Sequence, residues 1–182
     1  MNNKKRLRRT MMFLNAQKPN LLKDPYIYEP DSLIFDLEDA VALGEKDAAR
    51  FVLAHALKSV NYQNCEKVVR INGIDTPFWK EDIRCAVFAG CDSIRIPKTE
   101  SAEDVKAVEA EVIKAEQEAG VEEGHTLLMA AIESAKGVIN LKEICTASSR
   151  LFGVALSAGD YTNDLHTVIT GTGVELSGAR QL

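Results

Sequence analysis

Six short runs rich in Val, Ile, Leu, Met or Phe recur along the chain, at residues 9–15, 31–37, 67–72, 93–97, 126–132 and 151–156. They are nearly continuous apolar stretches and do not alternate with polar residues. That pattern suits strands covered on both faces, as in a parallel sheet wrapped by helices. Between them lie helical patterns, at 39–60, at 77–89 opened by Pro77, at 101–119 and at 135–147. In the third, Ser101 with Asp104 forms a capping box, and Val105, Val108, Val112 and Ile113 mark the buried stripe. Gly90 and Gly120 fall where helices should stop.

Strand followed by helix, repeated, permits either an open doubly wound sheet or a closed eight-stranded barrel. No Gly-x-Gly-x-x-Gly turn follows the first strand, which weakens the dinucleotide-binding form. The placement of charge favours the barrel. Asp36, Glu38 and Asp39 close the second run, Arg70 the third, Lys98 the fourth and Glu133 the fifth, and the sixth leads to Asp160. In a (β/α)8 barrel the ends of several strands supply one active site at a single face. The fold class expected is therefore α/β, a TIM barrel of which about six β/α units are present, with residues 1–182 as one partial barrel domain. A complete barrel takes about 250 residues, so two exposed sheet edges are expected, and with them association into an oligomer.

Bulk properties narrow the function classes. A net charge of −5 argues against a nucleic-acid surface, although Lys4, Lys5, Arg6, Arg8 and Arg9 make a local basic cluster. No stretch approaches the ~18 apolar residues of a membrane span. The run Met11-Met12-Phe13-Leu14 is too short for the apolar core of a signal peptide. Cys65, Cys85, Cys91 and Cys145 show no metal or redox spacing, which fits reduced thiols in a cytoplasmic protein. His55, His125 and His166 are isolated and read as surface or packing residues.

Glu133 and Asp160 end neighbouring strands, so both carboxylates should point into one mouth. Two convergent carboxylates plus water and substrate oxygens are usual equipment for Mg2+. Arg70, a guanidinium at the end of an apolar strand, requires an anion. A substrate carboxylate or enolate oxygen would serve, as would Asp36, Glu38 or Asp39. Lys98 stands evenly between site and surface.

Six segments in order then resemble one family: Arg8-Arg9-Thr10-Met11-Met12-Phe13, Phe35-Asp36-Leu37-Glu38-Asp39-Ala40-Val41, Val69-Arg70-Ile71-Asn72, Ile96-Pro97-Lys98-Thr99-Glu100, Met129-Ala130-Ala131-Ile132-Glu133-Ser134-Ala135 and Asp160-Tyr161. Together they are similar to the citrate lyase beta subunits, the citryl-acyl-carrier-protein lyases. These belong to a wider group of magnesium-dependent barrel lyases that includes malyl-CoA lyases and HpcH-type aldolases. The resemblance implies cleavage of a citryl thioester to oxaloacetate and an acetyl thioester, in a complex with an alpha subunit and a gamma acyl-carrier subunit. It places Mg2+ on Glu133 and Asp160, and substrate contacts on Arg70 and Glu133. Arg70, Glu38 and Asp39 become the catalytic candidates, with the choice among Asp36, Glu38 and Asp39 for proton transfer open. Where such subunits carry Pro-Gly after the first strand, this chain has Asn15-Ala16, and Gly159 replaces an acid beside Asp160. Two alternatives stand beside this reading: a related lyase for malyl-CoA or another 3-hydroxyacyl thioester, and a non-catalytic binding remnant of the family.

Overall fold

The alternation of strands and helices is realised in a computed structural model describing residues 6–182. Lys4 and Lys5 of the basic cluster lie outside the described residues. Six strands, β1 (Met11–Asn15), β2 (Ser32–Asp36), β3 (Glu66–Arg70), β4 (Ser93–Ile96), β5 (Leu127–Ile132) and β6 (Leu151–Leu156), form one parallel sheet in the order β1-β2-β3-β4-β5-β6. Parallel neighbours need a crossover between each pair. Here the main crossovers are α2 (Lys46–Ser59), α3 (Trp79–Phe88) and α4 (Ala102–Ala119). Six consecutive β/α units in this order are the arrangement of a (β/α)8 barrel, as expected.

The helical segments differ from expectation in two ways. The segment expected at 39–60 begins as a single 3-10 turn, Leu43–Glu45, before α2 starts, because residues 38–42 are held by the site described below. The segment expected at 135–147 is split into α5 (Ala135–Ile139) and α6 (Leu141–Cys145) at Asn140, whose side chain donates to the Glu100 carbonyl at 2.8 Å. Short elements escaped the sequence reading altogether. These are α1 (Pro19–Leu22) and a 3-10 turn at Pro25–Tyr28 after β1, then α7 (Ala158–Asp164), a 3-10 turn at Val174–Leu176 and α8 (Ser177–Gln181) after β6. By contrast α4 begins on the expected capping box. Ser101 Oγ accepts from Asp104 N at 3.2 Å, and Asp104 Oδ2 accepts from Ser101 N at 2.9 Å. It ends on Gly120 at φ 66°, a left-handed cap. Val105, Val108 and Val112 are buried, while Ile113 turns to the margin of that face.

Each strand has two different faces. Outward-pointing Leu33, Phe35, Val69, Ile71, Ile94, Ile96, Leu128, Ala130 and Ile132 pack against Leu53, Ile83, Val87, Val105, Val108 and Ile144 of the helices, forming the hydrophobic core. The alternate residues face inward, and several are polar: Ser32, Asp36, Glu66, Arg70, Ser93 and Arg95. Adjacent parallel strands lie about 4.8 Å apart, so strands three places apart in a flat sheet would be separated by about 14 Å. Yet the Arg8 guanidinium reaches both Glu66 on β3, at 2.5 and 2.6 Å, and the Phe152 ring on β6, at 3.7 Å. Likewise Arg95 on β4 lies 5.5 Å from the Phe13 ring on β1. The sheet is therefore strongly curled, with its polar face inside. A register shift between Leu128 and Met129 pairs Leu151 and Gly153 but skips Phe152, a bulge that sharpens the bend in β6.

Arg8 and Arg9 of the basic cluster are engaged in ion pairs, Arg8 with Glu66 and Arg9 with Asp31. Cys65, Cys85, Cys91 and Cys145 are free thiols, and His55, His125 and His166 are exposed and away from the site. No helix among the described residues is long and apolar enough to cross a membrane.

Candidate active site

The three acids that close β2 separate into three roles. Asp36 is the last strand residue and points inward, where both oxygens are committed. Arg70 Nε and Nη2 donate to it at 2.8 and 2.7 Å, and the backbone N–H groups of Glu38 and Ala40 donate at 2.9 and 3.2 Å. Asp36 thus fixes both the guanidinium beside it and the loop beyond it. From that loop Glu38 turns inward, 4% exposed, while Asp39 stays on the rim, 3.9 Å from Lys98 Nζ. The sequence places Glu38 and Asp39 together as candidates; the structure brings only Glu38 into the enclosed site.

Two further contacts hold the loop from below. Lys46, at the start of α2 and buried, donates from Nζ to the carbonyls of Leu37 and Glu38 at 2.8 and 2.7 Å. Asn15 at the end of β1 donates to the Ala40 carbonyl at 2.6 Å. Lys46 lies in a helix rich in charge and carries no sequence signal separating it from solvated lysines; only the tertiary position of its tip reveals the role.

Glu38 is held by charge without well-aligned hydrogen bonds. Its Oε2 lies 3.0 Å from Arg70 Nη1 and its Oε1 2.9 Å from Lys98 Nζ. Burial raises the Glu38 pKa above its ordinary value, against the opposing pull of Lys98 and Arg70. Arg70 shows the converse balance. Burial opposes its charge, but Asp36, Glu38 and Asp39 outweigh that and hold its pKa above the usual value. Lys98, half exposed, reaches this charged cluster. It lies at the β4 exit in a left-handed conformation, φ 47°, which costs a non-glycine residue on the order of 1 kcal/mol or more. That strain aims the amine at Glu38, and the contact raises the Lys98 pKa.

Glu133 follows β5 and Asp160 lies in the first turn of α7 after β6. Both line one cavity of about 440 Å³ at the C-terminal ends of the strands, with Lys98, Glu100, Asp104, Ser134, Asp164, Asp75 and Ile74. Glu133 is 5% exposed, and its Oε1 has no hydrogen-bond partner among the described residues. Burial, then the charges of Glu38 and Asp160, push the Glu133 carboxyl up to about 7. Asp160 Oδ2 accepts from Ser157 Oγ at 2.8 Å, which orients it. Ser134 anchors the turn next to Glu133: its Oγ accepts from Gly137 N at 3.1 Å and donates to Glu100 Oε1 at 2.7 Å. A Cβ on Gly137 would sit 2.7 Å from the Thr99 carbonyl oxygen, so this close approach of α5 to the β4 exit requires glycine.

An orphaned carboxylate oxygen beside a second acid fits a divalent cation. No group of three His, Cys, Asp or Glu side chains is arranged to enclose a metal among the described residues. Two hard oxygen donors in an open cavity suit magnesium, which keeps several waters and seldom takes an all-protein cage.

Comparison with known proteins gives the arrangement a lineage. The profile of the family described as HpcH/HpaI aldolase/citrate lyase matches residues 9–182. The chain belongs to this family. It is 52% identical over 180 residues to the citrate lyase subunit beta of Leuconostoc mesenteroides subsp. cremoris, covering 99% of this chain and 60% of that protein. It is 36% identical to the L-malyl-CoA/beta-methylmalyl-CoA lyase of Rhodobacter capsulatus, covering 92% of this chain and 54% of that one. The citrate lyase beta subunit of M. tuberculosis complexed with oxaloacetate and magnesium superposes with a TM-score of 0.70 at 25% identity, covering 94% of this chain and 68% of that structure. The chain thus spans about 60% of the length of the curated citrate lyase relative from Leuconostoc.

Proposed function

We propose that this protein is a magnesium-dependent carbon–carbon lyase that cleaves a citryl thioester into oxaloacetate and an acetyl thioester. The observation that carries the reading is Glu133. It is a buried carboxylate with an unpartnered oxygen, facing Asp160 across one cavity, within the electrostatic reach of Arg70, Lys98 and Glu38. Glu133 and Asp160 would hold the magnesium, which when bound supplies a Lewis acid and a template for the oxygens of the oxaloacetate half.

The chain's own groups divide the remaining work. Cleavage removes the proton of the substrate hydroxyl, breaks the bond from the carbinol carbon to the thioester methylene, and leaves that electron pair as a thioester enolate. Glu38 takes the hydroxyl proton. It is the one acid of the β2 triplet that is enclosed yet accepts no backbone hydrogen bond, and burial raises its pKa above the ordinary value. Returned to the enolate carbon, that proton completes the acetyl thioester. Arg70, fixed by Asp36, offers its charge to the oxygen on which negative charge develops. Lys98 pairs with Glu38 and restrains it between turnovers. Asp39 at the rim and Glu133 at the substrate contact complete the set. The partners of this activity are an alpha subunit and a gamma acyl-carrier subunit in an oligomeric complex, with a cytoplasmic setting.

The family also contains malyl-CoA lyases, which makes substrate choice the test. Purified protein with magnesium is offered citryl thioester and malyl-CoA separately, and oxaloacetate and glyoxylate are assayed. Oxaloacetate in excess supports the reading. Glyoxylate in excess replaces it with a malyl-CoA lyase, and neither product, with the chain folded, replaces it with a binding remnant.

A further inference from the structure

Arg95 is the interior cation for which the site above has no use. It is 6% exposed, on the inward face of β4, in register with Arg70 on β3 and Met129 on β5. Its Nη1 approaches the Met129 thioether at 3.5 Å, a weak acceptor, and its Nε has no partner among the described residues. The Phe13 ring lies 5.5 Å from the Arg95 guanidinium and 5.1 Å from that of Arg70. One aromatic ring therefore lies against two guanidiniums. Arg70 has Asp36 and Glu38 within 3.0 Å, whereas no carboxylate of the described residues pairs with Arg95. A buried guanidinium is costly unless an anion meets it, and cation–π contact holds its plane while leaving its N–H donors free.

We propose that Arg95 is a specificity-determining residue that receives the distal carboxylate of the oxaloacetate half of the substrate. This inference rests on the citryl-thioester reading and deepens it. A citryl thioester and a malyl thioester share the hydroxyl, the adjacent carboxylate and the thioester arm. They differ by one carboxymethyl group, which cleavage leaves on oxaloacetate and which glyoxylate lacks. Arg70, Glu133 and Asp160 meet features common to both substrates. The additional carboxylate needs an additional cation, and Arg95 lies one strand from Arg70 in the same row, with its Nε unpartnered and only a thioether on its Nη1.

Oxaloacetate and pyruvate differ by that carboxylate alone, so their binding isolates it. Calorimetric titration with magnesium present compares wild type, Arg95→Met and Arg95→Lys. Wild type is expected to bind oxaloacetate at least about tenfold more tightly than pyruvate, the scale of one charge-assisted hydrogen-bonded pair. Arg95→Met should erase that ratio while pyruvate affinity stays within about twofold of wild type, which also certifies the fold. Arg95→Lys keeps a point charge without the fork and should retain part of the ratio; it carries the test should the Met variant not fold. A ratio that persists in Arg95→Met, or equal weakening of both ligands, overturns the assignment and leaves Arg95 a structural residue. Wild type that binds neither ligand overturns the citryl-thioester reading, and the assignment with it.

Discussion

Replacing Glu133 by Gln should stabilise the metal-free protein at alkaline pH while removing its response to magnesium. Burial and the charges of Glu38 and Asp160 raise the Glu133 carboxyl from 4.5 to about 7, so the folded state binds this proton more tightly than the unfolded state. Stability contributed by the protonated form is complete below about 4.5 and is lost as pH rises through about 7. At 1.36 kcal/mol per pKa unit that gap amounts to about 3 kcal/mol. For a domain of this size it corresponds to roughly 6–12 °C in Tm. Glu133→Gln keeps the shape and deletes the charge. Thermal or urea denaturation in chelator should find the variant more stable than wild type by up to about 3 kcal/mol at pH 8 and equal to it at about pH 4 and below. Millimolar magnesium should then raise the wild-type Tm and leave the variant unmoved. A variant less stable than wild type at pH 8 in chelator would refute the reasoning, because Glu133 would then be a stabilising, already satisfied carboxylate.

Other perturbations separate the remaining parts. Asp160→Asn should weaken magnesium binding and slow cleavage together, each by about tenfold or more; magnesium titration of activity with an unchanged midpoint would remove Asp160 from the metal site. Lys46→Met leaves the Leu37 and Glu38 carbonyls without their donor. It should cost about 1–3 kcal/mol of stability and lower kcat more than it changes KM; denaturation with steady-state kinetics checks both, and an unaltered kcat contradicts the positioning role. Gly137→Ala forces a Cβ against the Thr99 carbonyl oxygen. It should destabilise by roughly 1–3 kcal/mol and weaken magnesium binding through the turn next to Glu133; a calorimetric titration matching wild type would show that the turn tolerates displacement.

The order of strands was legible because the outward face of every strand packs on helices and is apolar, so each run stands out whatever faces inward. What faces inward was legible only at the strand ends. Arg70, Glu133 and Asp160 interrupt or follow apolar runs and announce themselves. Arg95 interrupts Ser93–Ile96 but, unlike Lys98 three residues later, closes no run, and only the missing carboxylate partner marks it out. The triplet Asp36, Glu38 and Asp39 could not be sorted from sequence, since the strand ends at Asp36 and the alternation that would orient the next two acids stops there. Lys46 was invisible for a related reason: hydrogen bonds to carbonyls nine and eight residues back depend on how the β2 exit folds over α2. The elements α1, α7 and α8 are four to seven residues long, too short for a helical period to emerge, and the pattern at 135–147 could not show its break at Asn140, which comes with a contact to the distant Glu100 carbonyl.

The most direct test of the account is the rate of oxaloacetate formation from a citryl thioester by the assembled complex, measured against magnesium concentration for wild type and the Glu133→Gln, Asp160→Asn double variant. The account predicts saturable magnesium-dependent release in the wild type, and in the double variant a rate at the level of wild type in chelator. Equal rates in the two proteins, or wild-type cleavage unaffected by chelator, would contradict it.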